Sequence, residues 1–424
     1  MSLQRYDCKF VQQLNLTLEM NDYLNFILIL LSLFGIAIGS FPKFRMNRAT
    51  ISLVGASALI IINEMNLKKA VSFIDIDTII LIFAMMIINI NLRLAGFFNI
   101  IANKVIAYSK TPRQLLIILT FSSGILSSLF LNDTIVIMFT PMIIEIVINF
   151  KRNPIPYLIA LATSANIGSA ATIVGNPQNM IIGIQSGISF SEFMFYMFPI
   201  SLVCLFLVVI VISIIYKKEF TNQKFEENLD KETKIYRPLF IKSTAVLTLM
   251  LIAFLIGSPV AITALAASAI LLITRRIKPE RVFLEVDFSL LIFFACLFII
   301  SHQTNYLLTS SVKISDLQFF SENRIINISI VASVLSNIIS NVPAVLMLSP
   351  IIKEMINPEK IWLTLALSST FAGNLTLLGS VANLIVVEMA RKRGVNIKFT
   401  EYLKSGVIIT IISLVFGVTW LIFI

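Results

Sequence analysis

Apolar runs of about 20 residues, the length of a membrane-spanning helix, recur along this chain. Examples are residues 23–41, 239–256 and 403–424. Inside a bilayer every backbone N–H and C=O group must be paired within the protein, so such runs cross as α-helices. We therefore predict an all-α polytopic membrane protein.

Composition agrees with a membrane protein and argues against a soluble one. The hydrophobic share is 57% and the charged share is 13%, whereas soluble domains are about one-quarter charged. The net charge of +10 would suggest nucleic-acid binding in a soluble protein, but here the Lys and Arg residues lie between apolar runs, where they set topology. Membrane lipid is therefore the expected surrounding, and no nucleic-acid partner is predicted.

The three cysteines, Cys8, Cys204 and Cys296, do not have the spacing of metal ligands. Two of them lie inside apolar runs, where cysteine behaves as a small apolar residue. We therefore predict no cysteine metal site, no disulfide and no bound cofactor.

The breaks between apolar runs divide the chain into two halves of similar organisation. Each half is predicted to hold five transmembrane helices, one of which is broken, and one re-entrant helical hairpin. Pairs of short full spans in place of the hairpins would leave the topology unchanged. The predicted parts are a loose N-terminal segment 1–21, a first repeat 22–216 with hairpin 114–149 and broken helix 155–187, a cytoplasmic linker 217–237, and a second repeat 238–424 with hairpin 325–352 and broken helix 361–390.

The two halves repeat each other in sequence. Five spans per half is an odd number, so the second repeat is predicted to be inverted relative to the first. Three segments recur in order at offsets of 210, 209 and 204 residues: 75–83 with 285–293, 132–141 with 341–350, and 172–181 with 376–385.

The lysines and arginines indicate the orientation of the chain in the membrane. With both termini outside, 24 of the 33 Lys and Arg residues fall in cytoplasmic segments and 8 in external ones. Cytoplasmic loops of membrane proteins carry such an excess of positive charge. We predict a multi-pass protein of the cytoplasmic (inner) membrane with its N-terminus and C-terminus outside.

Polar interruptions of the apolar segments mark the expected binding site. They are the hairpin tips at 131–134 and 340–343 and the interrupted helices at 164–179 and 368–383. Polar backbone at membrane depth is tolerated only where protein buries it or where it lines a wet cavity. Interrupted helices at corresponding positions of two halves point to a transport site. The alternative is that their small residues are only helix-packing contacts.

The residues predicted to line this site are short polar side chains together with helix-breaking glycines and prolines. No catalytic residue is expected among them. They are Asn132, Asp133, Thr134, Asn166, Gly168, Ser169, Thr172, Gly175, Asn176, Pro177, Asn179, Ser340, Asn341, Pro343, Asn374, Thr376, Gly379, Ser380 and Asn383.

Asp133 is the only ionisable residue between Arg113 and Glu145. A carboxylate at membrane depth is costly to bury, which favours a role as a proton or sodium coupler. The alternative is a turn residue, because Asn-Asp reverses a chain well. Glu388 and Glu145 lie near cytoplasmic helix ends, and His302 lies at an external end, so we predict interfacial roles for them.

Four motifs resemble the ion-transporter superfamily, which includes arsenite efflux permeases, citrate and dicarboxylate/sodium symporters, and D-type sodium/proton antiporters. They are LNDTIVIMFTP (131–141), SANIGSAATIVGNPQNMIIG (164–183), SNVPAVLMLSP (340–350) and FAGNLTLLGSVANLIVVE (371–388). The resemblance covers residues 24–424. It implies a homodimer in which the hairpins and broken helices move across the membrane with the substrate, in an elevator-type motion.

The first hairpin tip separates the branches of that superfamily. Dicarboxylate symporters carry Ser-Asn-Thr at each tip, whereas this chain has Leu131-Asn132-Asp133 and Ser340-Asn341-Val342. The Asn-Asp pair is closer to the arsenite-permease pattern. The resemblance thus implies the anion permeases of that branch.

Together these features predict a secondary active transporter of a small anion, either an inorganic oxyanion or a carboxylate, and not an enzyme. A proton or sodium gradient is expected to drive it, with any sodium ion held by Asn132, Asn341 and neighbouring carbonyls. The first alternative is a sodium/proton antiporter on the same fold. A channel or a membrane enzyme is the second alternative, although an enzyme would need clustered titratable groups.

Overall fold

The computed structural model describes residues 3–41, 46–220, 236–274, 277–311 and 323–424, with side chains described from residue 21 onward except at 40–41 and 308–311. The first half contains α1 (Leu3–Ile38), a short ribbon of β1 (Ser40–Phe41) and β2 (Met46–Asn47), α2 (Arg48–Ile62), α3 (Leu67–Ser72), α4 (Ile76–Leu94), α5 (Phe97–Tyr108), α6 (Pro112–Leu129), α7 (Asn132–Asn149), α8 (Ile155–Ser169), α9 (Pro177–Ser186) and α10 (Phe190–Ile215).

The second half contains a similar series of helices, although its described residues hold no counterpart of the ribbon or of α5. They are α11 (Arg237–Leu255), α12 (Val260–Leu272), α13 (Pro279–Phe283), α14 (Phe288–Ser311), α15 (Arg324–Ile339), α16 (Asn341–Lys353), α17 (Glu359–Phe371), two 3₁₀ turns (Ala372–Asn374 and Leu377–Gly379), α18 (Val381–Arg391) and α19 (Phe399–Phe423). The described chain is thus almost entirely helical, as predicted.

Seven helices in the described ranges are long and apolar enough to cross a bilayer. They are α1 from Asn21, α4, α7, α10, α11, α14 to Leu307, and α19. Shorter apolar helices, among them α2, α12, α15 and α16, lie between them. The integral, multi-pass character predicted from the apolar runs agrees with these helices, whereas the orientation of the termini stays a prediction.

Helix pairs lie where the hairpins and broken helices were predicted. The segment 114–149 contains α6 and α7, and the segment 325–352 contains α15 and α16. The segment 155–187 contains α8 and α9, and 361–390 contains α17 and α18. Whether the hairpins are re-entrant, and whether the halves are inverted, stays a prediction.

The N-terminal segment differs from its prediction, and most of the predicted linker is not described by the structure. The terminus was predicted to be loose up to residue 21, but its backbone is helical from Leu3, because 3–21 contains no Gly or Pro to end α1. Most of the predicted linker, residues 221–235, lies outside the described residues, as do residues 1 and 2 of the terminus.

The chain forms two compact units. Unit 1 comprises the described residues within 1–79 and 287–321, and unit 2 comprises those within 80–286 and 322–424. In unit 1, α1, α2 and α14 pack together. Gly55 lets α2 approach α1, because a Cβ there would lie 2.2 Å from Oγ of Ser32. Small residues at such contacts are typical of membrane helices.

Unit 2 holds both helix pairs of each half, packed crosswise. The second arm of the first hairpin, α7, packs on α18, and the second arm of the other hairpin, α16, packs on α9. Helices α10 and α19 run antiparallel, since Tyr216 contacts Glu401 at one end and Ile200 lies beside Gly417 at the other. Each half thus completes the packing of the other.

Candidate functional site

The first broken helix is interrupted between α8 and α9 by a polar segment. Pro177 takes the first helical position of α9, where its missing N–H has no helical partner to lose. Before it, the extended residue Asn176 accepts a hydrogen bond from the backbone N–H of Asn179 at 2.8 Å. The Nδ2 atom of Asn179 donates back to the carbonyls of Thr172 at 2.9 Å and Ser169 at 3.2 Å. The amide thereby pairs carbonyls that the break would leave bare.

The second broken helix is interrupted between α17 and α18 without a proline. Ser380 is extended and precedes α18, as Asn176 precedes α9. The Nδ2 atom of Asn383 donates to the carbonyls of Gly373 at 2.8 Å and Thr376 at 3.0 Å. Both interruptions are therefore stabilised by an asparagine side chain from the helix that follows.

A single amide, that of Asn166 near the end of α8, joins both breaks and the first hairpin tip. Its Nδ2 atom donates to Oδ1 of Asn374 at 2.9 Å and to Oδ1 of Asn383 at 3.1 Å. Its Oδ1 atom accepts from Nδ2 of Asn132 and from Oγ of Ser380, both at 3.0 Å. A primary amide has two N–H donors and two acceptor lone pairs, so Asn166 is fully paired.

Each hairpin tip is bonded to the broken helix of its own half. The backbone N–H of Asn132 donates to the carbonyl of Gly175 at 3.2 Å. The Asn341 amide, oriented by its neighbours, donates to the carbonyl of Gly379 at 3.3 Å and accepts from Nε2 of Gln178 at 3.2 Å. Because Gln178 belongs to the first half, the second tip also contacts the opposite half.

Thr370 and Gln178 belong to this network although the sequence did not single them out. Oγ1 of Thr370 accepts from Nε2 of Gln178 at 3.3 Å and from Nδ2 of Asn176 at 3.4 Å. Thr370 stands 204 residues after Asn166, the offset of the third repeat match. That spacing could have identified Thr370, and Gln178 lies inside the polar GNPQN motif.

Two further hydroxyls predicted to line the site stabilise the first break. The hydroxyl of Thr172 donates to the carbonyl of Ser128 at the end of α6. Oγ of Ser169 donates to the carbonyl of Asn166 at 2.8 Å and accepts from Nδ2 of Asn176 at 2.9 Å. These side chains tie α6, α8 and the break together.

Four other predicted residues have backbone or packing roles in the structure. Gly168 forms a helix contact, since a Cβ there would lie 2.0 Å from the carbonyl oxygen of Gly124. A Cβ at Gly175 would lie 2.3 Å from the carbonyl oxygen of a residue in α8. Thr134 lies in the first turn of α7, and Pro343 lies in the first turn of α16. None of these four joins the side-chain network in the described residues.

Asp133 lies in the first turn of α7 and is half-buried. Its backbone N–H donates to Oδ1 of Asn132 at 3.0 Å, which draws it close to the Asn166 network. Glu145 and Glu388, predicted at helix ends, are exposed. The ring of His302, also predicted to be interfacial, stacks on an aromatic ring within unit 1 with centroids 3.6 Å apart.

The electrostatics of the site come from dipoles. Helices α7, α9, α16 and α18 all begin at the network, at Asn132, Pro177, Asn341 and Val381. A helix N-terminus carries a partial positive charge and unpaired N–H groups. In α7, α16 and α18 the residue before the helix does not cap the first turn with a side-chain hydrogen bond. In the described ranges no group of three or more His, Cys, Asp or Glu side chains could hold a metal ion.

Comparison with known proteins identifies relatives of this chain. A family model with the description citrate transporter (CitMHS) matches residues 26–367. The chain is 29% identical to a Dictyostelium discoideum protein with the transporter name arsB, over 88% of this chain and 87% of that protein. It is 28% identical to the silicon efflux transporter LSI3 of Oryza sativa subsp. japonica, over 89% of this chain and 93% of that protein.

A solved structure shares the fold. The crystal structure of the YdaH transporter from Alcanivorax borkumensis matches with a TM-score of 0.62, over 95% of this chain and 97% of that chain. Sequence identity is 12%, so the likeness concerns the fold alone.

Proposed function

The chain belongs to the citrate transporter family of the ion-transporter superfamily, and from that premise we propose that it is a secondary active transporter that moves a small anion through the Asn166 network. The resemblance inferred from the four motifs is thus confirmed, and the chain is a membrane transporter by family. Its substrate, coupling ion and motion are the subject of the proposal.

The proposal of an anionic substrate is supported by the convergence of helix N-termini on the network. Four helices begin there, and three of them lack a side-chain cap. At the C-termini of α6, α8 and α17, side chains of Thr172, Asn179 and Asn341 donate to the carbonyls of Ser128, Ser169 and Ser369. The carbonyl dipoles are thus partly paired while these three helix N-termini stay uncapped, which favours an anion.

Hydrogen bonds from side chains to the carbonyls of the broken helices also favour a proton over sodium as the coupling ion. Sodium would bind carbonyl oxygens that an interrupted helix frees. Here those of Thr172, Gly373 and Thr376 already accept from asparagine side chains, so a sodium ion would compete with these donors. Asp133 is the one carboxylate in the first turn of a helix that begins at the network, and we propose that it binds and releases the proton.

The names of the family and of one relative suggest a class of substrate. The family description specifies citrate, and one relative is named for silicon efflux. Both solutes are small and rich in oxygen atoms, which amide and hydroxyl donors can bind. We propose a carboxylate or an inorganic oxyanion as the substrate of this chain.

Assembly and motion are proposed from the resemblance. Both hairpins and both broken helices lie in unit 2, and we propose that they are the moving part of an elevator-type transporter. We also propose a homodimer in the inner membrane, with both termini outside and the second half inverted. The antiparallel packing of α10 and α19, which are corresponding elements, supports the inversion.

Uptake by proteoliposomes tests the function. Vesicles containing the purified protein would be offered citrate, arsenite, silicic acid or phosphate under an imposed proton gradient, a sodium gradient or no gradient. Saturable uptake that a proton gradient accelerates is the expected result. Flux that neither saturates nor responds to a gradient would indicate a channel and overturn the proposal.

A sodium/proton antiporter is the second candidate, favoured by the half-buried carboxylate of Asp133. The same vesicles loaded with a pH-sensitive dye separate the two functions. Sodium-induced proton movement with no anion present would establish the antiporter. Its absence, together with anion uptake, would exclude it.

A further inference from the structure

Asn166 and Thr370 hold the same position in the two halves, 204 residues apart. Each accepts a hydrogen bond from the extended residue that precedes the second helix of the opposite half. Oγ of Ser380 donates to Asn166 at 3.0 Å, and Nδ2 of Asn176 donates to Thr370 at 3.4 Å. Ser380 also stands 204 residues after Asn176, so the two contacts are one interaction repeated.

The two repeated contacts differ in strength. All four hydrogen bonds of Asn166 measure between 2.9 and 3.1 Å. The two bonds that Thr370 accepts measure 3.3 and 3.4 Å, at the weak end of the range. The site is therefore tightly bonded on the Asn166 side and loosely bonded on the Thr370 side.

The hydroxyl hydrogen of Thr370 has no acceptor among the described residues, although the side chain is 1% exposed. Two buried threonines use that hydrogen within their own helix, whereas the hydroxyls of Thr78, Thr120, Thr140 and Thr410 have no partner among the described residues. Thr163 donates to the carbonyl of Ile159 at 2.8 Å, and Thr364 donates to that of Lys360 at 2.7 Å. The hydroxyl hydrogen of Thr370 is therefore available to donate to a ligand bound at the site.

We propose that Thr370 and Gln178 are substrate-contacting residues, whereas Asn166 holds the two halves together. This inference rests on the proposed transport function and assigns a role within its site. A substrate oxygen would accept from the Thr370 hydroxyl and from Nε2 of Gln178. Accepting from the unused hydroxyl hydrogen displaces no bond, and Nε2 of Gln178 would give up a bond of 3.2 or 3.3 Å, so little protein pairing is lost.

One of these donors is in contact with the second hairpin tip. Asn341 is half-buried and its amide oxygen accepts from Gln178 at 3.2 Å. Movement of that tip would break the bond to Asn341 and free an N–H of Gln178 for a ligand. The ligand these donors select is a small solute with acceptor oxygens, such as a carboxylate or an oxyanion.

The test uses the full chain in proteoliposomes, with citrate, arsenite, silicic acid and phosphate as probes. Thr370→Val removes the hydroxyl while keeping the shape, and Thr370→Ser restores it. Thr364→Val, in the same helix, removes a hydroxyl that is paired within the helix and serves as the matched control. Thr370→Val is expected to raise KM by about 10-fold, equivalent to about 1.4 kcal/mol, with the maximal rate unchanged. Thr370→Ser and Thr364→Val are expected to keep the wild-type KM.

The outcomes separate this inference from the proposed function. Saturable wild-type uptake with an unchanged KM in Thr370→Val would overturn the role of Thr370 and leave the transport function standing. No uptake of any probe by the wild type would count against the function.

The structural role of Asn166 is tested by thermal unfolding, which needs no substrate. Asn166→Thr, which makes both positions threonine, is expected to lower Tm far more than Thr370→Val does. We expect Thr370→Val to change Tm by about 2 °C or less. Equal losses of stability would overturn the proposed division of roles.

Discussion

Asn383 pairs the carbonyls of the second helix break in the same way that Asn179 pairs those of the first, 204 residues earlier. Each side-chain amide points back across its interruption and donates to carbonyls at the same repeat positions, which are Ser169 and Thr172 in the first half and Gly373 and Thr376 in the second. A buried carbonyl without a donor is costly. The two asparagines therefore allow a helix to be broken inside the protein.

Replacement of either asparagine should destabilise the fold. Asn383→Ala removes the side-chain donor from the carbonyls of Gly373 and Thr376, of which only Thr376 keeps a backbone donor, and it leaves one amide hydrogen of Asn166 without an acceptor, a loss of about 3 kcal/mol. Thermal unfolding of the purified protein measures it. Asn149→Ala, at the exposed end of α7, is the control and should unfold at the wild-type temperature. An equal Tm for Asn383→Ala and the control would show that water pairs these carbonyls instead.

The positions of the breaks could be predicted from local sequence. Apolar runs located the helices, and Pro177 with its neighbouring amides located the first interruption. In the second half the amides and glycines alone sufficed, since Ser380 and Asn383 stand at the positions of Asn176 and Asn179. These features affect the backbone within a few residues of their own position, so they can be recognised from the local sequence.

Contacts between the halves could not be predicted in the same way. Gln178 and Thr370 meet because α16 and α17 pack on α9, and nothing near either residue indicates that packing. Gly168 was assigned to the lining, but it belongs to the contact with Gly124, because a glycine serves packing and an unwound helix equally well. Only the repeat spacing links Asn166 to Thr370.

Close packing of α6 on α8 should make Gly168 the less tolerant of two neighbouring glycines. A Cβ at Gly168 would meet a backbone oxygen at 2.0 Å, which can move only if a helix moves. A Cβ at Gly124 would meet the side-chain methyl groups of Leu205 at 2.6 Å, which can rotate away. Gly168→Ala is therefore expected to lower Tm more than Gly124→Ala. The reverse order in thermal unfolding would contradict the helix-contact role.

Ser340 at the second hairpin tip has φ +81° and ψ 160°, a conformation that is essentially restricted to glycine. Ser340→Gly should relieve that strain and stabilise the protein by about 1 kcal/mol, after the entropy that glycine costs in the unfolded chain. Chemical unfolding compares it with Ser340→Ala, which keeps the strain and should not stabilise. A loss of stability in both variants would mean that the hydroxyl outweighs the backbone strain.

Glu219, just after α10, accepts from the backbone N–H of Asn153 and from the hydroxyl of Tyr157, both at 3.4 Å. Burial raises the pKa of Glu219, and the opposing effects of Asn153 and of nearby Arg152 are smaller. A carboxyl whose pKa is raised by folding stabilises the protein at low pH, and that contribution is lost as pH rises through the raised pKa.

Glu219→Gln cannot ionise, so its stability advantage should grow with pH. We expect the variant and the wild type to have nearly equal Tm at acidic pH, and the variant to be more stable at neutral and higher pH. A Tm series across pH checks this. A wild type that is the more stable of the two at high pH would show that ionised Glu219 is favoured by folding.

Asp133→Asn tests the proposed coupling residue. The substitution keeps the shape of the side chain at the start of α7 but removes its titration. Because a proton can no longer be bound and released there, gradient-driven uptake in proteoliposomes should fall to background. Exchange of internal for external substrate at equal pH needs no net proton movement and should continue. Glu145→Gln, which neutralises an exposed carboxylate of the same helix, is the control and should keep both activities. Full gradient-driven uptake in Asp133→Asn would remove the coupling assignment, and loss of exchange as well would indicate a role in binding instead.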